Sequence, residues 1–260
     1  MSRPVPKKAE HAELLAELDA ERRASGAPAG RGGVVRELAG SECRIVYSRL
    51  AAGDADEVIA EEAALARERG LPLEWKLYGH DTPADLAGRL LAAGFVAQDP
   101  EQVLVLPVSE RPPAEFGGAD CTVRRVHDEE GLADYAEIAR EIGRTDAEQE
   151  RRRLSAVLRE APDTMTVHIA YLRGEPVACG RAHFRPGGPH AELAGGRTKP
   201  AHRDRGYFTA VVASRLQEAW ERDRRLAFTD ALPTSERILR NRGFRPLTST
   251  RPFLYDPTRC

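Results

Sequence analysis

Residues 190–208, His-Ala-Glu-Leu-Ala-Gly-Gly-Arg-Thr-Lys-Pro-Ala-His-Arg-Asp-Arg-Gly-Tyr-Phe, concentrate the residues of this chain that could do chemistry. An extended stretch from His190 to about Lys199 carries the glycine pair Gly195-Gly196, a short basic loop follows, and a long amphipathic stretch starts at Gly206. In a strand-loop-helix junction of this kind the loop N–H groups and the first helical turn point the same way, and the helix dipole adds partial positive charge. Gly206 lets the main chain approach a ligand closely. Arg203 and Arg205, with Asp204 between them, put cations at the helix end that the dipole makes unfavourable for them. A bound anion resolves that conflict; a solvated basic helix start is the alternative. The anion site, if built, is local, because the 260-residue chain has a net charge of -2.

The elements that position this segment follow from periodicity. In the second half, strands are expected at 122–126, 166–171, 176–184, 190–199, 226–231 and 249–255, and helices at 128–142, 146–160, 206–222 and 234–242. The order is β-α-α-β-β-β-α-β-α-β, an α/β (α+β) arrangement around a mixed sheet. In the first half, helices are expected at 8–25, 54–69 and 82–93, strands at 34–35, 43–48, 73–78 and 102–107, and a loop at 26–33. Pro112-Pro113 and Gly117-Gly118 mark 108–120 as the best linker, which divides the chain into 1–110 and 120–260. Both halves carry helix, strand, Thr or Pro-Thr helix start, helix, Gly-Phe and strand in the same order, with Gly94-Phe95 matching Gly243-Phe244. A Gly-Phe pair after a helix is a common C-cap; the shared order of four elements points to an internal repeat.

The segment at Arg203-Asp204-Arg205-Gly206 resembles the coenzyme A motif of the GNAT acetyltransferase superfamily, Arg/Gln-x-x-Gly-x-Gly/Ala at a strand-loop-helix junction, with Arg203, Gly206 and Phe208 on its three defined positions. Phe208 departs from the usual small residue. The resemblance covers residues 120–255 and implies the GNAT fold there, with a shortened GNAT-like domain in the first half. It implies an acyltransferase that uses acetyl-CoA, with Arg203, Asp204, Arg205, Gly206, Tyr207 and Phe208 around the diphosphate. It also implies that the backbone of Gly196, Arg197 and Thr198 receives the pantetheine and the thioester carbonyl. Glu192, fourteen residues ahead of Gly206, resembles the general-base glutamate of several members. An amine of pKa about 10.4 is only about one thousandth neutral near pH 7.4, a deficit of roughly 4 kcal/mol that a positioned base offsets. The alternative for Glu192 is an outward-facing strand carboxylate, and His190 is a weaker second candidate. Ser235 is either a hydroxyl near the coenzyme sulfur or a first-turn helix residue. Leu239 stands where many members carry a tyrosine, so no general acid is assigned; Tyr171 and Tyr207 are available.

The corresponding junction of the first half begins its helix with Asp54, Asp56 and Glu57, which suit the macrodipole and would repel a diphosphate. That half is therefore expected to lack a cofactor site. Trp75, Tyr78 and His80 either line an acceptor pocket or are core. The expected reaction is transfer of an acetyl group to a primary amine of a small molecule, by direct attack on the thioester. A protein or peptide amine, or a non-catalytic acyl-CoA sensor, is the alternative. Cys43, Cys121, Cys179 and Cys260 are too dispersed for a zinc site or a disulfide framework, and Cys179 reads as a buried thiol. No metal, nucleic-acid or membrane partner is indicated. Arg151-Arg152-Arg153, near Glu148 and Glu150, reads as a solvated face. The chain is expected in the cytoplasm, as a monomer or homodimer.

Overall fold

The computed structural model describes residues 8–29, 32–39, 42–108 and 119–259. The expected linker at 108–120 lies almost wholly outside them, as does Cys260. The chain forms α1 (Lys8–Ala24), β1 (Ala27–Ala29), β2 (Val34–Ala39), β3 (Glu42–Ser48), α2 (Ala55–Arg69), β4 (Leu73–Tyr78), α3 (Leu86–Ala92), β5 (Val96–Ala97) and β6 (Glu101–Pro107). It continues with β7 (Thr122–Val126), α4 (Glu129–Glu141), α5 (Ala147–Glu160), β8 (Met165–Leu172), β9 (Glu175–His183) and β10 (His190–Thr198). The last elements are α6 (Tyr207–Glu221), β11 (Leu226–Ala231), α7 (Pro233–Asn241) and β12 (Arg245–Tyr255). The fold is mixed α/β, as the element order predicts.

Two compact units result, and they do not follow chain order. One comprises residues up to 104, 231–237 and 245 onward; the other comprises 105–230 and 238–244. The closing strand of the chain thus belongs with the first half, whereas the division expected from the linker assigns it to the second. The reason is pairing: β12 runs antiparallel to β4, with Thr250–Tyr255 opposite Tyr78–Leu73. That ladder involves every residue of β4.

In the first unit the strands lie in the order β1-β2-β3-β4-β12. β3 and β4 are parallel, and the other neighbours are antiparallel. Ala27–Ala29, expected as loop, pairs with β2 as a three-residue edge strand, a position that tolerates Pro28. Helix α3 starts at Leu86 rather than Thr82 because Thr82 is engaged elsewhere: its carbonyl accepts from Leu50 N and its hydroxyl donates to Leu50 O. Trp75 and Tyr78 are core rather than pocket wall. Trp75 is fully buried against Phe95 and donates Nε1–H to Ser48 Oγ at 2.8 Å. Tyr78 is covered by the Arg22 guanidinium, 3.7 Å from its ring centroid.

In the second unit the order is β11-β10-β9-β8-β7, with β10 and β11 parallel and the rest antiparallel. Helices α4 and α5 cover one face, where Tyr135, Leu154, Val167, Ile169 and Cys179 pack together. Helix α6 covers the other, with Tyr207 and Val211 against Ala170 and Ala178. Cys179 is buried as expected, and burial pushes its thiol up to about 12. Asp128 caps α4 by accepting from Gly131 N. No helix among the described residues is long and apolar enough to cross a membrane.

Candidate active site

The site forms where β10 leaves β11. The two strands pair in register only from His190/Leu226 to Glu192/Phe228. Beyond that point the first freed carbonyl, Leu193 O, accepts the hydroxyl of Thr229 at 2.7 Å. β10 then makes a bulge against β9: Ala194 lies opposite Arg181, but Arg197 lies opposite Cys179. Gly195 makes the bulge in the left-handed region, with φ +60°, which favours glycine. A Cβ on it would also sit 2.8 Å from Tyr135 Oη.

The bulge decides which way the amides point. Lys199 N donates to Val177 O, so by the antiparallel alternation Arg197 and Lys199 face β9, and Gly196 and Thr198 face the open edge. Gly196 is exposed. Thr198 Oγ1 is buried and has no hydrogen-bond partner, an orphaned polar atom at the rim of the opening. Arg197 contributes differently: its guanidinium turns to the α5 face and binds Glu150, at 2.7 and 3.1 Å.

After β10 the chain makes one short turn, Pro200–His202, and then the basic loop. Lys199 ties the start of that loop to α4, with Nζ 2.5 Å from Glu137 and 2.8 Å from Glu141. His202 Nε2 lies 3.2 Å from Glu175, and its Nδ1 is buried without a partner. Asp204 and Gly206 both have positive φ, +60° and +86°. Residues of alternating hand aim successive N–H groups inward, as an anion nest requires. Gly206 is the N-cap of α6 and provides no side-chain cap. The first intrahelical acceptor is Gly206 O, which takes Ala210 N, so the N–H groups of Tyr207, Phe208 and Thr209 have no acceptor within the helix. Arg203, Asp204, Arg205 and Gly206 are exposed. These groups fit a diphosphate.

Phe208, the departure from the small residue of the motif, lies over the strand: a Cβ on Gly196 would be 2.7 Å from its Cε2. Gly196 is therefore the counterpart of Phe208, and the second glycine of the pair provides the room that the ring occupies.

Glu192 is exposed on β10, on the face shared with His183, its cross-strand partner on β9. His190, the second candidate, is buried and packs edge-to-face on Phe228 at 5.2 Å. Ser235 is in the first turn of α7, where its hydroxyl donates to Leu232 O at 3.1 Å. Leu239 is buried. Tyr171 donates to Asp134 Oδ2 at 2.7 Å, and burial together with that carboxylate raises its pKa. Tyr207 is buried beside His202.

Sequence reading missed the polar cluster beneath the bulge. Glu150 is 5% exposed and binds Arg181 and Arg197, and Tyr135 Oη donates to it at 3.2 Å. Burial acts to raise the Glu150 pKa, but the hydrogen bonds and charges of the two arginines outweigh it and hold it at about 2. Its neighbours Glu148, Arg151 and Arg152 do form a partly exposed ion-pair face. A second cluster lies under α6: Glu218 accepts from Thr166 Oγ1 at 2.7 Å and pairs with His168 Nε2 at 2.8 Å. Among the described residues, no group of three or more His, Cys, Asp or Glu is arranged to hold a metal ion.

Residues 130–244 match the acetyltransferase (GNAT) family. They are a GNAT domain. The chain therefore carries a GNAT-type acyltransferase domain over these residues. The full chain is similar to a GCN5-related N-acetyltransferase from Kribbella flavida (18% identity, TM-score 0.67, covering 94% of each chain). It is also similar to a GCN5-related N-acetyltransferase from Sphaerobacter thermophilus (14% identity, TM-score 0.63, covering 97% of this chain and 94% of that one). A tandem GNAT protein from the clavulanic acid biosynthesis pathway shares the fold as well (14% identity, TM-score 0.62, covering 97% and 98%). Among curated proteins, none matches this chain at a significant level.

Proposed function

We propose that this GNAT acyltransferase moves an acetyl group from acetyl-CoA to a primary amine of a small molecule. The observation that carries the reading is the open edge of β10 past Glu192, which runs directly into the uncapped, basic start of α6. Bound there, acetyl-CoA supplies a thioester carbonyl open to attack. The nest at Asp204 and Gly206, with the first-turn amides of α6, holds the diphosphate, and Arg203 and Arg205 add charge. Thr198 Oγ1 and the amides of Gly196 and Thr198 meet the pantetheine and the thioester oxygen, whose negative charge grows as the amine adds.

Glu192 takes the proton from the attacking amine, directly or through a water. Its exposure suits an acceptor that arrives from solvent, and His190 is too enclosed for that task. The C–N bond forms, the C–S bond breaks, and the leaving thiolate takes its proton from water. Leu239 leaves no hydroxyl at the position that serves as acid in many relatives. The first half holds no cofactor; Asp54, Asp56 and Glu57 stand where the diphosphate would need amides and cations.

The test is thiol release from acetyl-CoA with a panel of amines, beside calorimetric binding of coenzyme A. Turnover with small amines is the expected result, with peptides poorer. Tight binding without release under every amine would make the protein a sensor instead. Unchanged cofactor affinity in Gly206→Asp and Arg203→Ala would remove the site from this loop.

A further inference from the structure

Among the described residues, Arg215 is the most deeply buried cation of the second unit that has no acid to pair with. It is 2% exposed, and its hydrogen bonds go to main-chain carbonyls: Nη1 to Arg181 O at 3.1 Å and Ala194 O at 3.2 Å, and Nε to Val211 O at 3.3 Å. Burying a guanidinium is costly, and burial pulls the Arg215 pKa down to about 10, so the position calls for a reason. Arg181 and Ala194 are the last in-register pair before the bulge. The guanidinium therefore sits where the ladder shifts, on the α6 face. Gly180 makes room for it, since a Cβ there would lie 2.8 Å from both Cζ and Nη1. On the opposite face the bulge rests on Tyr135 and Arg181, which approach Gly195.

The shift has a specific consequence. Both carbonyls lie within reach of one Nη1, which places them between the strands. If the ladder continued without the bulge, Gly196 and Thr198 would fall on the inward-pointing set, and their amides would face β9. The bulge exchanges the two sets and turns those amides to the open edge.

We propose that Arg215 is a positioning residue that locks this register, so that the Gly196 and Thr198 amides face the acyl-CoA slot. This rests on the reading of that slot given above. Arg215 touches neither substrate nor reacting atoms; it acts through the bulge.

The test uses the full chain with Arg215→Met, Arg215→Lys and Gly180→Ala. Amide hydrogen exchange on the ligand-free protein reads the register directly. In the parent protein Arg197 and Lys199 are expected to be protected, and Gly196 and Thr198 to exchange freely. Arg215→Met is expected to reverse that order, with Arg197 exchanging about tenfold faster relative to the β8–β9 ladder, and to raise the KM for acetyl-CoA about tenfold. Gly180→Ala, which crowds the guanidinium while keeping it, should shift both readouts the same way, and Arg215→Lys should restore part of each. Uniform loss of protection across β8 to β10, with KM and kcat per folded molecule unchanged, would overturn the proposal. If Arg215→Met does not fold, Gly180→Ala and Arg215→Lys decide by the same two readouts. If the parent protein neither binds nor turns over acetyl-CoA, the slot reading fails separately, and the exchange pattern alone decides whether Arg215 holds the register.

Discussion

Two parallel strand pairs among the described residues come apart, and they differ in what fills the opening. β3 and β4 pair as far as Ile45/Trp75, and β10 and β11 as far as Glu192/Phe228. In each the first freed carbonyl is satisfied by a side chain: Val46 O takes Arg22 Nε at 2.9 Å, and Leu193 O takes Thr229 Oγ1 at 2.7 Å. From there they diverge. In the first unit the opening is filled. The Trp75 indole crosses to Ser48, Thr82 closes on Leu50, and Arg22 is locked between Asp81 and the Tyr78 ring. In the second unit the opening carries two glycines, Gly195 and Gly196, and an orphaned hydroxyl at Thr198. The helix starts differ in the same sense. α2 begins with Asp54, Asp56 and Glu57, and Asp56 is already engaged by Arg89 at 2.9 Å. α6 begins with an uncapped glycine after two exposed arginines. On the proposed reading, the difference teaches that a binding slot needs both an open strand edge and a helix start left without its own anion.

Substitutions test that contrast. The largest effect is expected from Glu192→Gln at the open divergence: a loss of about 10²–10³ in kcat with acetyl-CoA affinity retained. A pH-rate profile checks it, because the deficit should shrink as rising pH deprotonates the amine without help. Next is Glu150→Gln, which leaves two buried arginines without their carboxylate and should cost about 3 kcal/mol of stability in denaturant titration. The sign of its pH dependence follows from the lowered pKa. Stability from Glu150 is present above 4.5, the ordinary value, and is lost as pH falls from there toward about 2. The variant should therefore lose less on going from pH 5 to pH 3 than the parent, although Glu218, also held at about 2, keeps part of the acid limb.

Gly206→Asp makes the start of α6 resemble that of α2. It forces a side chain into φ +86° and faces the diphosphate with a carboxylate, so calorimetry should show coenzyme A binding about 50-fold weaker. Asp56→Gly, the reverse change in the first half, should leave that affinity as it was. The smallest effect is expected from Trp75→Phe, which loses the bond to Ser48 in the filled opening. It should cost about 1 kcal/mol by thermal or denaturant unfolding without altering turnover.

Much of the local structure was legible in the sequence because it depends on local causes. The basic loop, the glycine pair, the starts of α2 and α6 and the burial of Cys179 all follow from residue type and neighbours. Even the Gly-Phe likeness of the halves has a local cause. Phe95 N bonds Leu90 O and Phe244 N bonds Leu239 O, the same C-cap geometry that Leu71 with Ala66 and Arg144 with Ala139 also show. The cap alone is thus weak evidence of repetition. What was not legible is long-range. Glu150 stands in a charged run, among Glu148 and Arg151, and nothing in that run marks it as buried. Its partners Arg181 and Arg197 lie 31 and 47 residues away.

By itself, then, the sequence determined the order of the longer helices and strands, the basic start of α6 and the acidic start of α2, since capping, dipole and backbone freedom act within a few residues. Only the tertiary structure decided that β12 completes the first unit by pairing with β4, and that Phe208 needs Gly196 beneath it. It also decided that a bulge between Ala194 and Arg197, met by Arg215 on one face and Tyr135 on the other, turns two amides outward. Register is a property of two strands together, and a shift of one residue on β10 reverses every amide that follows.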